Sequence, residues 1–336
     1  MDSLTHIAIG ACVGEAFFEK GFGKKAMIWG ALAQSIPDID FVSSLWLNTS
    51  ESLLAHRGFT HSLLFAVLIV PVFALVANSV HRPHNISFYK WIAFFLAEVF
   101  IHLFIDAFNN YGIGWFEPFS HHRFSFNIIY VADPFFSIPA IISLVMLIFL
   151  GKYDVRRKKW WRFGIYIPVL YLSYCSINKF KIDNIVKHNI DVQHLSKEEY
   201  FTTPAPLQNW LWYIVVKDNA GFHVGFYSLF DEENSIKFHY FPQNKYLLKD
   251  VSDHEELQKL IRFSKNYYTI EKWHDTLVFN DLRFGQILGW HFPQNHFVFH
   301  YYLTHAEESR LVVQRGRFMG WNKSEFNLFV HSVFNY

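Results

Sequence analysis

Long apolar runs separated by short polar segments fill the first half of the chain. Four of these runs approach the roughly 20 residues that a helix needs to cross the hydrocarbon core of a bilayer. They predict membrane helices at about residues 62–80, 88–108, 134–150 and 161–178. Two shorter apolar helices are predicted at about 4–18 and 25–36. Their length leaves open whether they span the membrane. No basic residue precedes the first one, so a cleaved signal peptide is not expected.

The pattern changes at about residue 181 to alternating aromatic and polar positions. This alternation predicts strands at 211–216, 222–230, 275–285 and 296–304. An amphipathic helix is predicted at about 253–265, with acidic residues in its first turn and basic residues towards its end. The sequence therefore predicts an α-helical integral membrane domain of about four long and two short helices over 1–180. A soluble α+β domain is predicted over 181–336.

The composition agrees with a membrane location. Hydrophobic residues make up 51% of the 336 positions and charged residues only 18%, against about 25% charged residues in ordinary soluble domains. The net charge of +1 provides no global field for nucleic acid. Cys12 and Cys175 lie in apolar helical segments and form neither a disulfide framework nor a thiolate zinc motif. The oligomeric state stays open.

Basic residues are concentrated at one end of the predicted helices. The basic segments are 20–25, 82–90 and 152–162. The intervening segments 37–61 and 109–133 contain only Arg57 and Arg123. Because Lys and Arg accumulate on the cytoplasmic side of short loops, the intervening segments and the whole region after residue 180 are expected outside the cytoplasm.

Seven histidine and aspartate residues stand out in this apolar half, all expected at the extracytoplasmic face. They are His6, Asp38, Asp40, His56, His61, His102 and Asp106. His102 and Asp106 lie four residues apart and so share one face of a helix. Imidazole and carboxylate ligands suit zinc, with manganese or iron as alternatives. The pattern predicts a site for one or more divalent metal ions.

Most of these residues also have a purely structural interpretation. His6 could be an interfacial residue, Asp38 and Asp40 could form a turn and a helix cap, and His56 and His61 could belong to a solvated loop. A structural interpretation is less favourable for His102 and Asp106, because burying an ionisable residue unpaired in a membrane costs on the order of a few kcal/mol. Taken together, the seven residues favour a metal site.

Three residues are predicted to act in catalysis beside the metal. Asp40 is assigned both as a ligand and as a catalytic carboxylate, and Arg57 and Arg123 could each hold a phosphate through the fork of a guanidinium. For Arg123, anchoring at the headgroup layer is an equal alternative. Glu98 is left open between a partner of the site and a residue buried opposite a cation. Asp133 is predicted to cap a helix.

Six motifs carry a resemblance to a known family. They are MDSLTH (1–6), PDID (37–40), HRGFTHSLLF (56–65), HLFIDAFNNYG (102–112), PFSHHRFSF (118–126) and ADP (132–134). In order and spacing they resemble the membrane-bound metal-dependent hydrolases of the YdjM type, over about residues 1–180. The segment 203–231 is similar to the extension of longer members. That family is distantly similar to zinc-dependent phospholipase C and related nucleases, which implies phosphodiester hydrolysis.

The resemblance also implies roles for single residues. It supports all seven histidines and aspartates as site positions and adds Tyr111, Gly112 and Arg123 as residues that shape the site. The chain departs from the family at His121 and His122, where an acidic or basic residue would be expected before Arg123. No role is assigned to those two histidines.

These observations predict a membrane-bound metal-dependent hydrolase of the bacterial inner membrane. Its expected substrate is a phosphoester at the membrane surface, in a lipid or lipid-linked molecule. The alternative is a non-enzymatic membrane protein with a structural metal site and a soluble domain that binds a partner. A catalytic zinc site keeps an open position, whereas a structural one is closed by four protein ligands. No motif of serine hydrolases, P-loop NTPases or Rossmann dehydrogenases is present.

Overall fold

The computed structural model describes residues 1–18, 22–81, 86–196, 199–251, 253–303 and 320–334. They form two compact units. Unit 1 comprises Met1–Leu45 and Ala55–Cys175, and unit 2 comprises Trp46–Leu54 and Ser176–Tyr336. Parts of three ranges from the sequence analysis, residues 20–21, 82–85 and 304, lie outside the described residues.

In the described part of residues 1–192, the regular elements are helices joined by loops, the longest loop being 107–133. The α-helices are α1 (Ser3–Phe18), α2 (Lys24–Ser35), α3 (Thr49–Ala55), α4 (Leu63–Val80), α5 (Phe88–Asp106), α6 (Pro134–Phe149) and α7 (Arg157–Val192). Two 3₁₀ helices, Pro37–Leu45 and Phe59–His61, lie before α4. As predicted, Asp133 caps α6: its side chain accepts hydrogen bonds from the backbone N–H groups of Phe135 and Phe136.

Two helices of the described chain, α4 and α5, are long and apolar enough to cross a membrane. Helices occupy all four predicted places, but α6 has only 16 residues. The fourth predicted helix is part of α7, a 36-residue helix that begins with basic residues and ends with polar ones. The number of long apolar spans in the described residues is therefore two, not the expected four.

Helices α1 and α2 approach each other at backbone distance. A Cβ atom added to Gly30 would lie 1.9 Å from the carbonyl oxygen of Gly10, and one added to Gly14 would also meet the backbone of α2. Small residues spaced four apart allow membrane helices to pack this closely. One turn beyond these glycines, the same two helix faces bring His6 against Gln34.

A buried ion pair closes the opposite end of unit 1. The guanidinium of Arg157, at the start of α7, donates two hydrogen bonds of 2.6 Å to the carboxylate of Glu15. It also donates to the carbonyl oxygens of Leu147 and Leu150 at the end of α6. Glu15 lies nine residues after His6 in α1, about 13 Å along the helix axis. The basic segment at 152–162 is thus far from the face that carries His6.

Unit 2 combines helices with two antiparallel sheets. The first sheet has the order β1 (Tyr200–Pro204), β2 (Leu211–Lys217), β3 (Gly221–Ser228) and β4 (His239–Pro242), and the second has the order β5 (Tyr268–Trp273), β6 (Thr276–Gln286) and β7 (Phe297–Tyr302). Its further helices are the 3₁₀ helix Lys245–Asp250, α8 (His254–Phe263) and α9 (Lys323–Phe334). The four predicted strands and the predicted helix α8 are confirmed, each within two residues of its expected ends.

Strand β2 forms the centre of unit 2 because both of its faces are buried. Trp212 and Ile214 pack with residues of α7 around Ile182. Tyr213 and Val215 point the other way and pack against the second sheet. Period-two alternation of large side chains is what a strand between two apolar layers requires.

We expect Gly30→Ala to destabilise unit 1, because the added methyl group would overlap the backbone of α1. Overpacking of this kind typically costs about 1 to 3 kcal/mol. Titration with a denaturing detergent, followed by circular dichroism, would measure the free energy of unfolding. Gly151→Ala is the matched control, since a Cβ at Gly151 meets nothing within 4 Å. Equal stability of the two variants would contradict close packing of α1 and α2.

Candidate metal centre

Four side chains converge at one end of α4 and α5. Asp38, His61, His102 and Asp106 each offer one ligand atom, and these atoms all lie within 4.8 Å of one another. The side chains of His61, His102 and Asp106 are fully buried, whereas that of Asp38 is 18% exposed. The cluster is therefore enclosed by unit 1 and reaches its surface on the Asp38 side.

Local structure explains how each ligand atom reaches the cluster. His102 and Asp106 occupy the last two turns of α5 on one helix face. His61 ends a 3₁₀ helix directly before Ser62, whose side chain caps α4 by accepting a hydrogen bond from Phe65 N–H. Asp38 follows Pro37 at the start of the other 3₁₀ helix. The converging side chains thus come from three separate segments, each positioned by the start or the end of a helix.

Hydrogen bonds orient the two imidazoles of the cluster. His102 Nδ1 lies 2.6 Å from the carbonyl oxygen of Gln34, which can only accept. The proton of a neutral His102 is therefore on Nδ1, and the lone pair of Nε2 faces His61 Nε2 at 3.2 Å. On its other side, His61 Nδ1 lies 3.3 Å from Asp40 Oδ2. Both Nε2 atoms are thus turned towards the centre of the cluster.

The residues present fit a divalent metal ion. Asp106 Oδ2 is buried and accepts no hydrogen bond. It lies 3.6 Å from His61 Nε2 and 3.0 Å from Arg57 Nε in an ion pair without hydrogen-bond geometry. Imidazole nitrogens and carboxylate oxygens that converge in this way are ligands that a divalent cation would bind.

Arg57 lies behind the cluster and offsets the charge of Asp106. Its side chain is 3% exposed, and it donates a 2.6 Å hydrogen bond to Asn109 Oδ1 and a 3.4 Å one to the carbonyl oxygen of Met1. The amino group of Met1 contacts Asp106 as well. The guanidinium is therefore held by protein atoms, and its predicted role as a phosphate clamp stays a prediction.

Asp40 lies next to the cluster but is not one of the four converging residues. Its Oδ2 accepts a 2.7 Å hydrogen bond from the backbone N–H of Arg57, and its Oδ1 lies 3.2 Å from His56 Nδ1. Burial would raise the pKa of Asp40, but hydrogen bonds with His56 and His61 hold the pKa below its usual range. Asp40 is therefore a carboxylate that orients two histidines, of which His56 is 42% exposed.

His6 contacts the cluster from α1. Its ring stacks on that of His102 with 3.9 Å between centroids, and its two nitrogens lie 3.2 Å from Gln34 Oε1 and 3.2 Å from Asp106 Oδ1. Of the seven histidines and aspartates singled out in the sequence, four converge. Of the other three, His6 contacts Asp106, Asp40 contacts His61, and His56 contacts Asp40.

The remaining sequence candidates lie around this group. The ring of Tyr111 is 5.2 Å from the guanidinium carbon of Arg57. Gly112 has φ of 76°, a conformation that favours glycine. Arg123 is buried beside Phe124, and its part in the site stays a prediction. His121 and His122 are exposed, and His121 pairs with Glu117.

Two neutral residues of the site were not assigned a role from the sequence. Gln34 contacts both His6 and His102, and Asn109 accepts hydrogen bonds from Arg57 and from the backbone of Tyr111. Both are fully buried. Amide side chains carry no ligand or charge signal. The one available clue was a glutamine in an otherwise apolar helix.

The surrounding carboxylates control the protonation of His61. Burial alone would lower the pKa of this histidine, but the carboxylates of the three nearby aspartates raise it to about 10. The ring is consequently protonated at pH 7 while no metal is bound. A metal ligand must be a neutral imidazole, so metal and proton compete for the same nitrogen.

Comparison with known proteins gives one family and two relatives. A family profile described as "YdjM inner membrane protein" matches residues 1–182, which include every residue of the cluster. The chain is 28% identical over 171 residues to inner membrane protein YbcI of Escherichia coli (strain K12), across 47% of this chain and 96% of YbcI. It is 30% identical over 156 residues to the uncharacterised protein YfhP of Bacillus subtilis (strain 168), across 44% of this chain and 46% of YfhP. No solved structure matches the chain.

Metal binding at pH 7 is expected to release a proton from His61. Because its pKa is about 10 without metal, the affinity should rise about tenfold per pH unit on the acid side of that value. Isothermal titration calorimetry with Zn²⁺, in buffers of different ionisation enthalpy, would count the protons. His61→Ala should lose this release. A binding enthalpy independent of the buffer would contradict the competition.

Proposed function

Because this chain belongs to the YdjM inner membrane protein family, we propose that it is a membrane-bound metal-dependent hydrolase. The observation that carries the proposal is the cluster of Asp38, His61, His102 and Asp106, which is buried on all sides but one. A donor set that opens to the surface at one ligand leaves room for a substrate, as a catalytic metal site requires.

The four converging residues would hold the metal, with zinc favoured by the mixed nitrogen and oxygen ligands and manganese or iron as alternatives. When bound, a divalent ion acidifies water and polarises a phosphoryl oxygen. The chain supplies the rest. Asp40 holds the Nδ1 proton of His61 and thereby turns Nε2 towards the metal. Arg57 balances the charge of Asp106, and the half-exposed His56 stands nearest to solvent for proton transfer.

A phosphoester at the membrane surface is the proposed substrate. His61 lies two residues before α4 begins and Asp106 is the last residue of α5, so the cluster lies at the same end of both candidate spans. Ile39 and Phe41, which flank the site aspartates, are 56% and 70% exposed. Apolar side chains around the opening favour a lipid or lipid-linked substrate over a freely soluble one.

The proposed topology places the cluster and unit 2 outside the cytoplasm. In this arrangement α6 and α7 complete a bundle of four membrane helices, and the basic residues around Lys152 and Arg157 lie on the cytoplasmic side. The support is the positive-inside rule together with the position of the Glu15–Arg157 pair, at the end of α1 away from His6.

A structural metal site is the second candidate function. The observation in its favour is that four protein ligands converge, the number that closes a structural zinc site. In that case unit 2 would carry the activity as a partner-binding domain. Metal content alone does not separate the two functions, so catalytic turnover has to be measured.

Asp106→Asn and His102→Ala should each lower both metal content and activity at least about 100-fold, because loss of a group that merely orients a ligand already costs about 10- to 100-fold. Metal is measured by mass spectrometry. Activity is measured on bis(4-nitrophenyl) phosphate and on phospholipid vesicles. The double variant should be little worse than either single one, since groups that act as one unit are not additive.

His121→Ala is the matched control, because this histidine is exposed and pairs with Glu117 rather than with the cluster. It should keep the metal content and activity of the parent. A parent protein that binds metal stoichiometrically but hydrolyses neither substrate would favour the structural site. Full activity in Asp106→Asn and His102→Ala would overturn the assignment of the site.

The topology can be tested with a reporter fused after residue 336. Alkaline phosphatase, which is active only outside the cytoplasm, should be active in this fusion. A fusion after Lys152, on the proposed cytoplasmic side, is the control and should be inactive. The reverse pattern would place the cluster at the cytoplasmic face.

A further inference from the structure

We infer that Gln34 and Glu98 form a positioning pair that sets the orientation of His6 and His102 and so determines how tightly the site holds a metal. The inference rests on the proposed metal site. Neither residue is one of the four converging side chains. Both are fully buried.

Gln34 contacts both histidines at once. Its backbone carbonyl oxygen lies 2.6 Å from His102 Nδ1, and its side-chain Oε1 lies 3.2 Å from His6 Nδ1. The backbone oxygen can only accept, so the proton of a neutral His102 is on Nδ1, and Gln34 Oε1 accepts a hydrogen bond from His6 when His6 Nδ1 carries a proton. The Nε2 atoms are then the ones that face Asp106 and the cluster.

Glu98 decides which way the Gln34 amide points. The Nε2 group of Gln34 donates one hydrogen bond of 2.9 Å to the carbonyl oxygen of Glu98 and another of 3.1 Å to Glu98 Oε2. Two acceptors on one side fix the NH₂ group there, so Oε1 must face His6. Without Glu98 Oε2, the NH₂ group would keep only the backbone carbonyl oxygen of Glu98 as an acceptor, and Gln34 Oε1 would be held against His6 less firmly.

The stacking of the two rings couples their orientations. His6 and His102 lie 3.9 Å apart between centroids with 27° between their planes. A turn of the His6 ring would therefore displace the His102 ring, and with it one of the four converging nitrogen and oxygen atoms. Gln34 thus contacts both imidazoles. Its backbone carbonyl contacts His102, and its side-chain amide contacts His6.

The surroundings of Glu98 leave space for its carboxyl group beside Gln34. Glu98 lies within the candidate span α5, and its Oε1 accepts no hydrogen bond. A Cβ on Gly30 would come within 2.8 Å of that oxygen, so the glycine of the α1–α2 contact also makes room for the carboxyl group. An acidic group inside a membrane span marks a functional site by default. Its hydrogen bonds to Gln34 connect it to the metal centre.

The test uses the full-length protein in detergent, with Co²⁺ as a spectroscopic probe of the site. Gln34→Met keeps the backbone carbonyl and the side-chain length but removes the amide. Glu98→Leu removes the side-chain acceptor and leaves only the backbone carbonyl, and Glu98→Gln retains a side-chain acceptor oxygen. Gln34→Met and Glu98→Leu should each weaken Co²⁺ binding about 10- to 100-fold and change its visible absorption bands. Glu98→Gln should remain within about threefold of the parent.

Thermal unfolding confirms that each variant is folded, and Ser143→Ala serves as the control, since its buried hydroxyl makes no hydrogen bond. Combining Gln34→Met with Glu98→Leu should add little to either change, because both break the same contact. If the parent binds neither Co²⁺ nor Zn²⁺, the metal site itself is wrong. If the parent binds and all variants match its affinity and spectrum, only the positioning pair is wrong. Equal loss in Glu98→Gln and Glu98→Leu would also overturn it.

Discussion

A carboxylate buried at the end of an apolar helix needs partners that offset its charge. Asp106, the last residue of the candidate membrane span α5, organises one end of unit 1 for this reason. Its side chain has no exposed surface and receives the guanidinium of Arg57 at 3.0 Å and the imidazole of His6 at 3.2 Å. Leaving a buried charge without such partners costs on the order of several kcal/mol of stability. The loop before α4, the start of α1 and the end of α5 are therefore held together by one negative charge.

Part of this arrangement was predictable from the sequence, and the reason is chemical. Imidazole and carboxylate groups are rare in apolar segments, so His102 and Asp106 on one helix face were visible without a structure. The division of the seven candidates into converging and orienting residues was not predictable, because Asp38 and Asp40 look alike in a sequence. What separates them is a three-dimensional fact: Asp40 accepts the backbone N–H of Arg57, whereas Asp38 faces the two imidazoles.

The fold shows the same limit. Strands with clear alternation, such as β2 and β7, were predicted within two residues of their ends, since large side chains at every second position need two apolar layers. The short strands β1, β4 and β5 were missed because pairing with a neighbour, rather than their own pattern, makes them strands. Helix α7 was predicted too short, because hydropathy follows apolar residues and stops at residue 178, while helical hydrogen bonding continues to Val192.

The chain leaves unit 1 after Leu45 and re-enters it at Ala55. This path limits how the protein could be divided into separate fragments. Segment Trp46–Leu54 belongs to unit 2, where Leu53 packs with the core around Leu257 and Glu51 pairs with Lys259. The two ligand-bearing segments of unit 1 are joined only through this piece. No single cut of the backbone can separate the units, and a fragment ending at Cys175 would keep Trp46–Leu54 without the residues of unit 2 that Leu53 and Glu51 contact. Dissection of this protein into independent parts would require a redesigned loop between Leu45 and Ala55.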